Sequence, residues 1–217
     1  MGKITAIIAK KGRGKRVNVF LENKVTLSLE TEMAVQKGLK VGQELSDKKI
    51  GELTDADELR RCLNAATYFL TYRPRSESEL TEKLNQRGFN DYSVVAVIKK
   101  LKKQGLVDDR AFAQYWKASR QSLNLRSRRL TTLELKRKGV AEEIIDEVGD
   151  TINDMENAYR VAIEKTNRLH VADYQNFYQR LNGYLRRRGY NYEVIKQTIN
   201  RIYKEQDANL NSSSSDV

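Results

Sequence analysis

Three glycines, Gly88, Gly139 and Gly189, stand fifty-one and fifty residues apart, and each closes the same kind of segment. The segments are basic and leucine-bearing: LTEKLNQRG, TTLELKRKG and LNGYLRRRG. Each glycine is followed by an apolar or aromatic residue (Phe89, Val140, Tyr190) and then by a second amphipathic run. Other positions keep the register. Four before the glycine stand Leu84, Leu135 and Leu185, and one before it Arg87, Lys138 and Arg188. Six after it stand Val94, Ile145 and Ile195, and thirteen after it Leu101, Ile152 and Ile202. The position eight before breaks the pattern, with Leu80, Thr131 and Leu181. A period near fifty residues means one supersecondary unit used three times, each stacking on the next to bury a face it cannot bury alone.

The apolar spacing makes these units helical. Leu59, Leu63, Ala66, Phe69 and Leu70 form one helical stripe, for which Asp57 is the expected cap, and Arg73-Pro74 ends it. Ser76 and Glu79 have capping-box spacing before a helix that stops at Gly88. Asn90 or Asp91 opens a third helix carrying Val94, Val97, Ile98 and Leu101, closed by Gly105. The second unit opens at Asp108-Asp109, with Phe112, Ala113, Tyr115 and Trp116 on its first helix. The third carries Ala158, Val161 and Ala162, then Phe177, Leu181 and Leu185, then Val194, Ile195, Ile199 and Ile202. Before the repeats, KITAIIA and RVNVFLENKVTLSL have the β-branched, alternating character of strands, with Glu22-Asn23-Lys24 as a hairpin turn. TEMAVQKGL reads as a short helix capped by Thr31 and stopped at Gly38. The expected fold is mainly α, with tandem three-helix, helix-turn-helix-like repeats in an elongated array and a small N-terminal β-rich domain. Its divisions are 1–54 for the β-rich domain, 55–107, 108–153 and 154–205 for the repeats, and 206–217 for a serine-rich disordered tail.

Charge separates the candidate functions. Of the net +11, residues 1–57 supply +3 and residues 58–205 supply +10, while the tail gives −2. Charged residues make up 32% of the chain and hydrophobic ones 39%, a balance suited to exposed helices. The basic residues gather at the ends of the second helices, in Arg87, in Lys136-Arg137-Lys138 and in Arg186-Arg187-Arg188. Arg126, Arg128 and Arg129 add to them, as do Lys99, Lys100, Lys102 and Lys103 on a third helix. Stacked in register, these clusters form a stripe suited to a sugar–phosphate backbone or an acidic protein groove. A single base at a helix C-terminus complements the helix dipole; a run of three exceeds that need. The tyrosines Tyr68, Tyr72, Tyr115, Tyr174, Tyr178, Tyr184, Tyr190 and Tyr192, with Trp116, could stack on unpaired bases. Tyr190 shares the register of Phe89 and Val140 and reads as core.

No enzymatic site emerges. His170 is the only histidine and Cys62 the only cysteine, so neither a zinc cluster nor an intramolecular disulfide can form. Cys62 lies in a helical stripe and reads as a small buried hydrophobe. GRGK at 12–15 lacks the length and hydroxyl of a phosphate-binding loop. Asp108-Asp109 reads as a helix cap and first-turn acid, with a metal-dependent nuclease site as the remote alternative. No catalytic residue, metal or cofactor is expected. No segment has a signal peptide's apolar core or a membrane helix's length, which leads to the expectation of a cytoplasmic chain.

At RPRSESELTEKLNQRGF and GLVDDRAFAQYWKASR the chain resembles the bacterial RecX family. The matching positions are Arg73, Pro74, Ser76, Glu79, Leu80, Lys83, Leu84, Arg87, Gly88, Phe89, Gly105, Leu106, Asp108, Asp109, Phe112, Ala113 and Arg120. The N-terminal strands resemble a segment added to RecX proteins of Gram-positive type. The resemblance implies tandem three-helix units and a monomeric, non-enzymatic regulator. Its implied partners are the RecA recombinase, above all its filament on single-stranded DNA, and DNA itself. The implied effect is modulation, chiefly inhibition, of RecA ATP hydrolysis, filament extension and strand exchange in recombination, repair and the SOS response. Arg126, Arg128, Arg129, Lys136, Arg137, Lys138, Arg186, Arg187 and Arg188 are the candidate contacts to DNA or filament. The alternative is a helix-turn-helix transcription regulator reading bases through residues such as Asn85, Gln86 and Arg87.

Overall fold

The computed structural model describes residues 2–10, 16–22, 26–123, 125–166 and 174–213. Two compact units divide the chain. One comprises 1–73 and 80–106, the other 74–79 and 107–217, so the division passes through the first turn of a helix.

In the first unit, alternation makes the strands. β1 (Gly2–Ala9), β2 (Arg16–Leu21), β3 (Thr26–Glu30) and β4 (Glu44–Leu45) form an antiparallel sheet in the order β3-β2-β1-β4. Val17, Val19 and Leu21 lie on the buried face of β2 with Ile4, Leu27 and Leu29. Helix α1 (Thr31–Gln36) adds Met33 and Ala34 to that core. Its N-cap is Glu30 rather than Thr31, and no side chain caps it. The 22–24 turn and the 12–15 segment fall largely outside the described residues, as does His170.

Helix α2 (Asp47–Tyr72) begins earlier than its apolar stripe suggests, capped by Ser46, whose Oγ accepts from the Lys49 N–H. A boundary at 54/55 therefore falls inside a continuous helix. Asp57 is not a cap but a buried side chain within α2. Its Oδ1 accepts from the Glu30 N–H at 2.8 Å, and its Oδ2 pairs with Arg16 at 2.8 Å and with Arg61 at 3.3 Å. It ties sheet to helix, a tertiary use of an acid that local sequence assigns to a helix start. α3 (Glu77–Gln86) and α4 (Asp91–Lys103) follow.

In the second unit, α5 (Asp109–Leu123), α6 (Arg128–Arg137) and α7 (Glu142–Asp150) are followed by α8 (Asp154–Thr166), α9 (Tyr174–Arg187) and α10 (Tyr192–Ser213). Helix α10 thus runs past 205, where the sequence reading begins a disordered tail; residues 214–217 lie outside the described residues.

The leucine and branched register positions have the same structural use in all three repeats. Leu84, Leu135 and Leu185 are fully buried, and the positions six and thirteen after each glycine are buried as well. Truncating one of these leucines to alanine costs about 3 kcal/mol through the cavity left behind. Thr131, the chemical exception, is as buried as Leu80 and Leu181, so the slot is shared even where the residue type is not. Each glycine has positive φ: 81° at Gly88, 71° at Gly139 and 88° at Gly189. Each turn closes with the same bond from the residue after the glycine to the buried leucine's carbonyl: Phe89 to Leu84, Val140 to Leu135 and Tyr190 to Leu185.

Two of the three glycines do more. A Cβ on Gly139 would lie 2.3 Å from Ser78 Cβ, and one on Gly189 would lie 2.5 Å from Ser127 Oγ and 2.8 Å from Leu130 Cβ. At Gly88 nothing lies within 4 Å. Gly88→Ala should therefore cost about 1 kcal/mol, from the left-handed backbone alone. Gly139→Ala should cost about 3 kcal/mol, because overpacking adds to that strain. Urea unfolding of the two variants measures the difference, and equal losses would contradict the close approach at Gly139.

Candidate functional site

The close approach at Gly139 belongs to a joint made of four parts. The first turn of α3 is capped by Ser76, whose Oγ accepts from the Glu79 N–H at 3.1 Å and donates to the Lys138 carbonyl at 2.6 Å. Asp109, from the start of α5, accepts the Glu77 N–H at 2.8 Å. Glu79 pairs with Arg75 at 2.7 Å and with Lys138 at 3.6 Å. The same joint recurs at the start of α6. Ser127 Oγ accepts from the Leu130 N–H at 3.2 Å, and the Ser127 N–H donates to the Arg188 carbonyl at 3.0 Å. Asp154, from the start of α8, accepts the Arg128 N–H at 2.7 Å. Tyr190 lies in the core, and its hydroxyl donates to the Leu125 carbonyl at 2.9 Å. In each joint, helix-terminal N–H groups that would otherwise be unsatisfied are capped partly by residues remote in sequence.

The family-motif positions are thereby accounted for structurally. Arg73 ends α2 in extended backbone before Pro74. Ser76, Glu79 and Asp109 build the joint. Leu80, Leu84 and Phe112 are buried core. Gly88 and Gly105 have positive φ, and Phe89 lies 5.7 Å beneath the Arg61 guanidinium. Asp108 caps α5, accepting from the N–H groups of Arg110 and Ala111 at 2.8 and 3.1 Å. The Asp108-Asp109 pair thus serves two different helix starts. Among the described residues, no group of three or more acids, histidines or cysteines could hold a metal ion. Cys62 is fully buried, and burial pushes its thiol up to about 11, well away from a reactive thiolate.

The basic candidates divide into two classes. Those immediately before the glycines fold back on aromatic rings: Arg87 lies 4.6 Å from the Phe69 centroid, Lys138 5.5 Å from Trp116 and Arg188 3.9 Å from Tyr184. These cation–π contacts spend the charge internally. Arg126 is also engaged, pairing with Glu134, which accepts from Arg120 Nε at 2.7 Å and from the Trp116 indole N–H at 2.9 Å. Burial first, then the nearby Arg120 and Arg188 guanidiniums, draws Arg126 below the ordinary arginine range. Arg128 reaches Asp150 at 2.5 Å. The second class is exposed. It comprises Arg129, Lys136 with a distant 3.9 Å neighbour in Glu142, Arg137, Arg186 and Arg187. The sequence does not announce Glu134 as a hub, because its partners come from an adjacent helix and loop.

Between α6 and α7 lies an open cleft of about 610 Å³. Arg128, Arg129 and Lys136 line it from α6, and Glu142 and Asp146 from α7, with Leu133 and Ile145 among its apolar residues. Of the residues considered as base readers, Gln86 Nε2 donates to Glu82 at 3.0 Å and Arg87 stacks on Phe69.

Glu134→Gln should lower stability by about 3 kcal/mol, since two guanidiniums lose their shared carboxylate charge. Arg137→Gln should stay within about 0.5 kcal/mol of the parent. Thermal unfolding distinguishes the two, and a neutral Glu134→Gln would show that the hub is not a structural ion cluster.

Comparison with known proteins converges on one family. Residues 2–46 match the family described as regulatory protein RecX N-terminal domain, and residues 62–101, 108–148 and 153–199 match the first, second and third RecX three-helix domains. A regulatory protein RecX from Clostridium perfringens is 30% identical over 207 residues, covering 93% of this chain and 97% of the relative. One from Listeria monocytogenes serotype 4b is 29% identical over 208 residues, covering 94% of this chain and 77% of the relative. Two crystal structures share the fold. One, of a regulatory protein RecX, gives a TM-score of 0.61 at 24% identity over 91% of this chain and 98% of that one. The other, of RecX from Lactobacillus salivarius, gives 0.59 at 23% identity over 67% and 97%. With its β-rich N-terminal domain and all three helical domains matched in order, the chain belongs to the RecX family of regulatory proteins.

Proposed function

We propose that this chain is a non-enzymatic regulator that binds the RecA recombinase on single-stranded DNA and restrains its ATP hydrolysis, filament extension and strand exchange. The observation that carries the reading is the recurrence of an exposed basic pair at the same point of two successive repeats. Lys136-Arg137 and Arg186-Arg187 are exposed at the ends of α6 and α9. The following residue in each repeat, Lys138 or Arg188, is held against an aromatic ring. One cation per helix end is thus held against a ring, and two stay exposed, Lys136 with a long ion-pair distance of 3.9 Å to Glu142. A partner that repeats along its own axis, as a protein–DNA filament does, can meet such a pair twice.

The α6–α7 cleft favours a protein component in that partner. A polyanion would meet Arg128, Arg129 and Lys136 favourably but would be repelled by Glu142 and Asp146 on the other side. A polypeptide carrying both signs of charge can satisfy the two walls together. Sequence-specific duplex recognition has no comparable support, since the end of α3 offers Arg87 already stacked on Phe69.

The test is to add the chain to RecA filaments on single-stranded DNA and follow ATP turnover and filament length. The parent protein should inhibit both. Lys136→Glu with Arg137→Glu, and separately Arg186→Glu with Arg187→Glu, should raise the concentration needed for inhibition about tenfold, equivalent to about 1.4 kcal/mol of binding. Circular dichroism should remain unchanged. Undiminished inhibition by both double variants would remove the basic pairs from the interface.

A further inference from the structure

The third repeat carries a second cavity of a different chemical kind, also about 610 Å³ and open to solvent. It is lined by Tyr174, Gln175 and Tyr178 from α9 and by Tyr192, Lys196 and Asn200 from α10. Neither an aliphatic side chain nor a carboxylate is among these lining residues. The repeat's own core is built without most of these rings, from Phe177, Leu181, Leu185, Ile195, Ile199 and Ile202. Tyr192 is 66% exposed and Tyr174 40% exposed, so large aromatic surfaces face solvent where the core does not need them.

Internal contacts hold the rings in position. Tyr174 stands edge-on to Tyr203 at 4.6 Å and lies 6.1 Å from Tyr178, and its hydroxyl donates to Asn200 Oδ1 at 2.9 Å. Tyr192 on α10 lies close enough to Tyr178 on α9 to act on it electrostatically, so the two walls meet at these phenols. Burial, followed by the neighbouring Tyr192 and Tyr174, raises Tyr178 above the ordinary phenol range, so it stays neutral at physiological pH.

We infer that this cavity is a stacking site for an unpaired nucleobase of single-stranded nucleic acid. The tyrosine rings supply flat π-faces, Gln175 and Asn200 supply amides at the base edge, and Lys196 sits beside them for the phosphate. Ring stacking accepts any base, so the site would add affinity without demanding sequence. A hydrophobic protein anchor is the poorer fit, because such pockets are lined mainly by apolar side chains and this one is rimmed by hydroxyls, amides and an ammonium. The α6–α7 cleft differs in the relevant respect, since its two carboxylates would repel a phosphate chain. The inference deepens the reading of the chain as a regulator acting on single-stranded DNA, but its test does not require RecA.

The experiment measures binding of the full chain, alone, to a fluorescent oligothymidylate and to an abasic oligonucleotide of the same length. The comparison is made at low and moderate salt for the parent, Tyr192→Leu, Tyr192→Phe and Lys196→Gln. Tyr192 is exposed, so its loss should leave the circular dichroism spectrum intact. The parent should prefer oligothymidylate. Tyr192→Leu should weaken oligothymidylate binding about tenfold while leaving the abasic strand unchanged, and Tyr192→Phe should restore it. Lys196→Gln should weaken both strands and flatten the salt dependence. Equal binding of the two strands by the parent, or no effect of Tyr192→Leu, would overturn the inference; so would an equal loss on both strands. A variant that loses oligothymidylate binding yet still inhibits RecA would leave the stacking site standing and separate it from the filament-binding surface.

Discussion

A backbone carbonyl at the end of one helix sits against the capped start of another, and the rest of the second unit is organised by that approach. Lys138 and Arg188 each offer the carbonyl just before a glycine, and Ser76 and Ser127 each supply the donor. The contact requires a residue without a Cβ at the next position, because Ser78 and Ser127 occupy the space where one would go. It also requires left-handed backbone there, which glycine adopts without strain. Asp109 and Asp154 add their carboxylates to the same helix starts. Register, spacing and helix capping are therefore set together at each of these two joints.

This joint explains why the positions that most resemble a family signature are not the ones left free to bind. Ser76, Glu79 and Asp109 are consumed by caps and ion pairs, and Leu80, Leu84 and Phe112 by core. The same division runs through the basic runs. Lys138 must point back toward Trp116 and Glu79 because its carbonyl is committed to Ser76 and its backbone enters the glycine turn. Lys136 and Arg137, two and one residues earlier at the end of the helix, are exposed. A run of three bases is thus a residue folded back on a ring plus an exposed pair, and the repeat copies that arrangement at Arg186-Arg187-Arg188.

The fold was legible because its signals are periodic. Buried leucines, a glycine stop and a branched residue six positions on survive in a single sequence, since each serves a local helix rule. Asp57 shows where that legibility ends. An acid followed by an apolar stripe has the pattern of a helix start, but α2 had already begun at Asp47, and Asp57 instead accepts the Glu30 N–H at the end of β3. Glu134 is a similar case: nothing in TTLELKRK shows that one glutamate gathers Trp116, Arg120 and Arg126. Both are tertiary uses of charge, and one-dimensional spacing does not encode them. The candidate surface was legible only in part, because composition counts a stacked arginine and a free one alike.

The α6–α7 cleft and the α9–α10 cavity extend the same logic from architecture to recognition. The α6–α7 cleft sets basic side chains against Glu142 and Asp146, whereas the α9–α10 cavity sets neutral phenols and amides beside one lysine. Repetition preserved the backbone and buried positions while the third helix lost its acidic character, from EEIIDEVGD in α7 to the charge-balanced YEVIKQTIN at the start of α10. A repeat protein can diversify in this way because the joint depends on glycine, serine and aspartate at helix ends, not on the outward face of the third helix. Substitutions on that face alter what a repeat attracts without disturbing how it stacks. Two neighbouring copies of one unit can then present chemically different surfaces on the same scaffold, as the α6–α7 cleft and the α9–α10 cavity do.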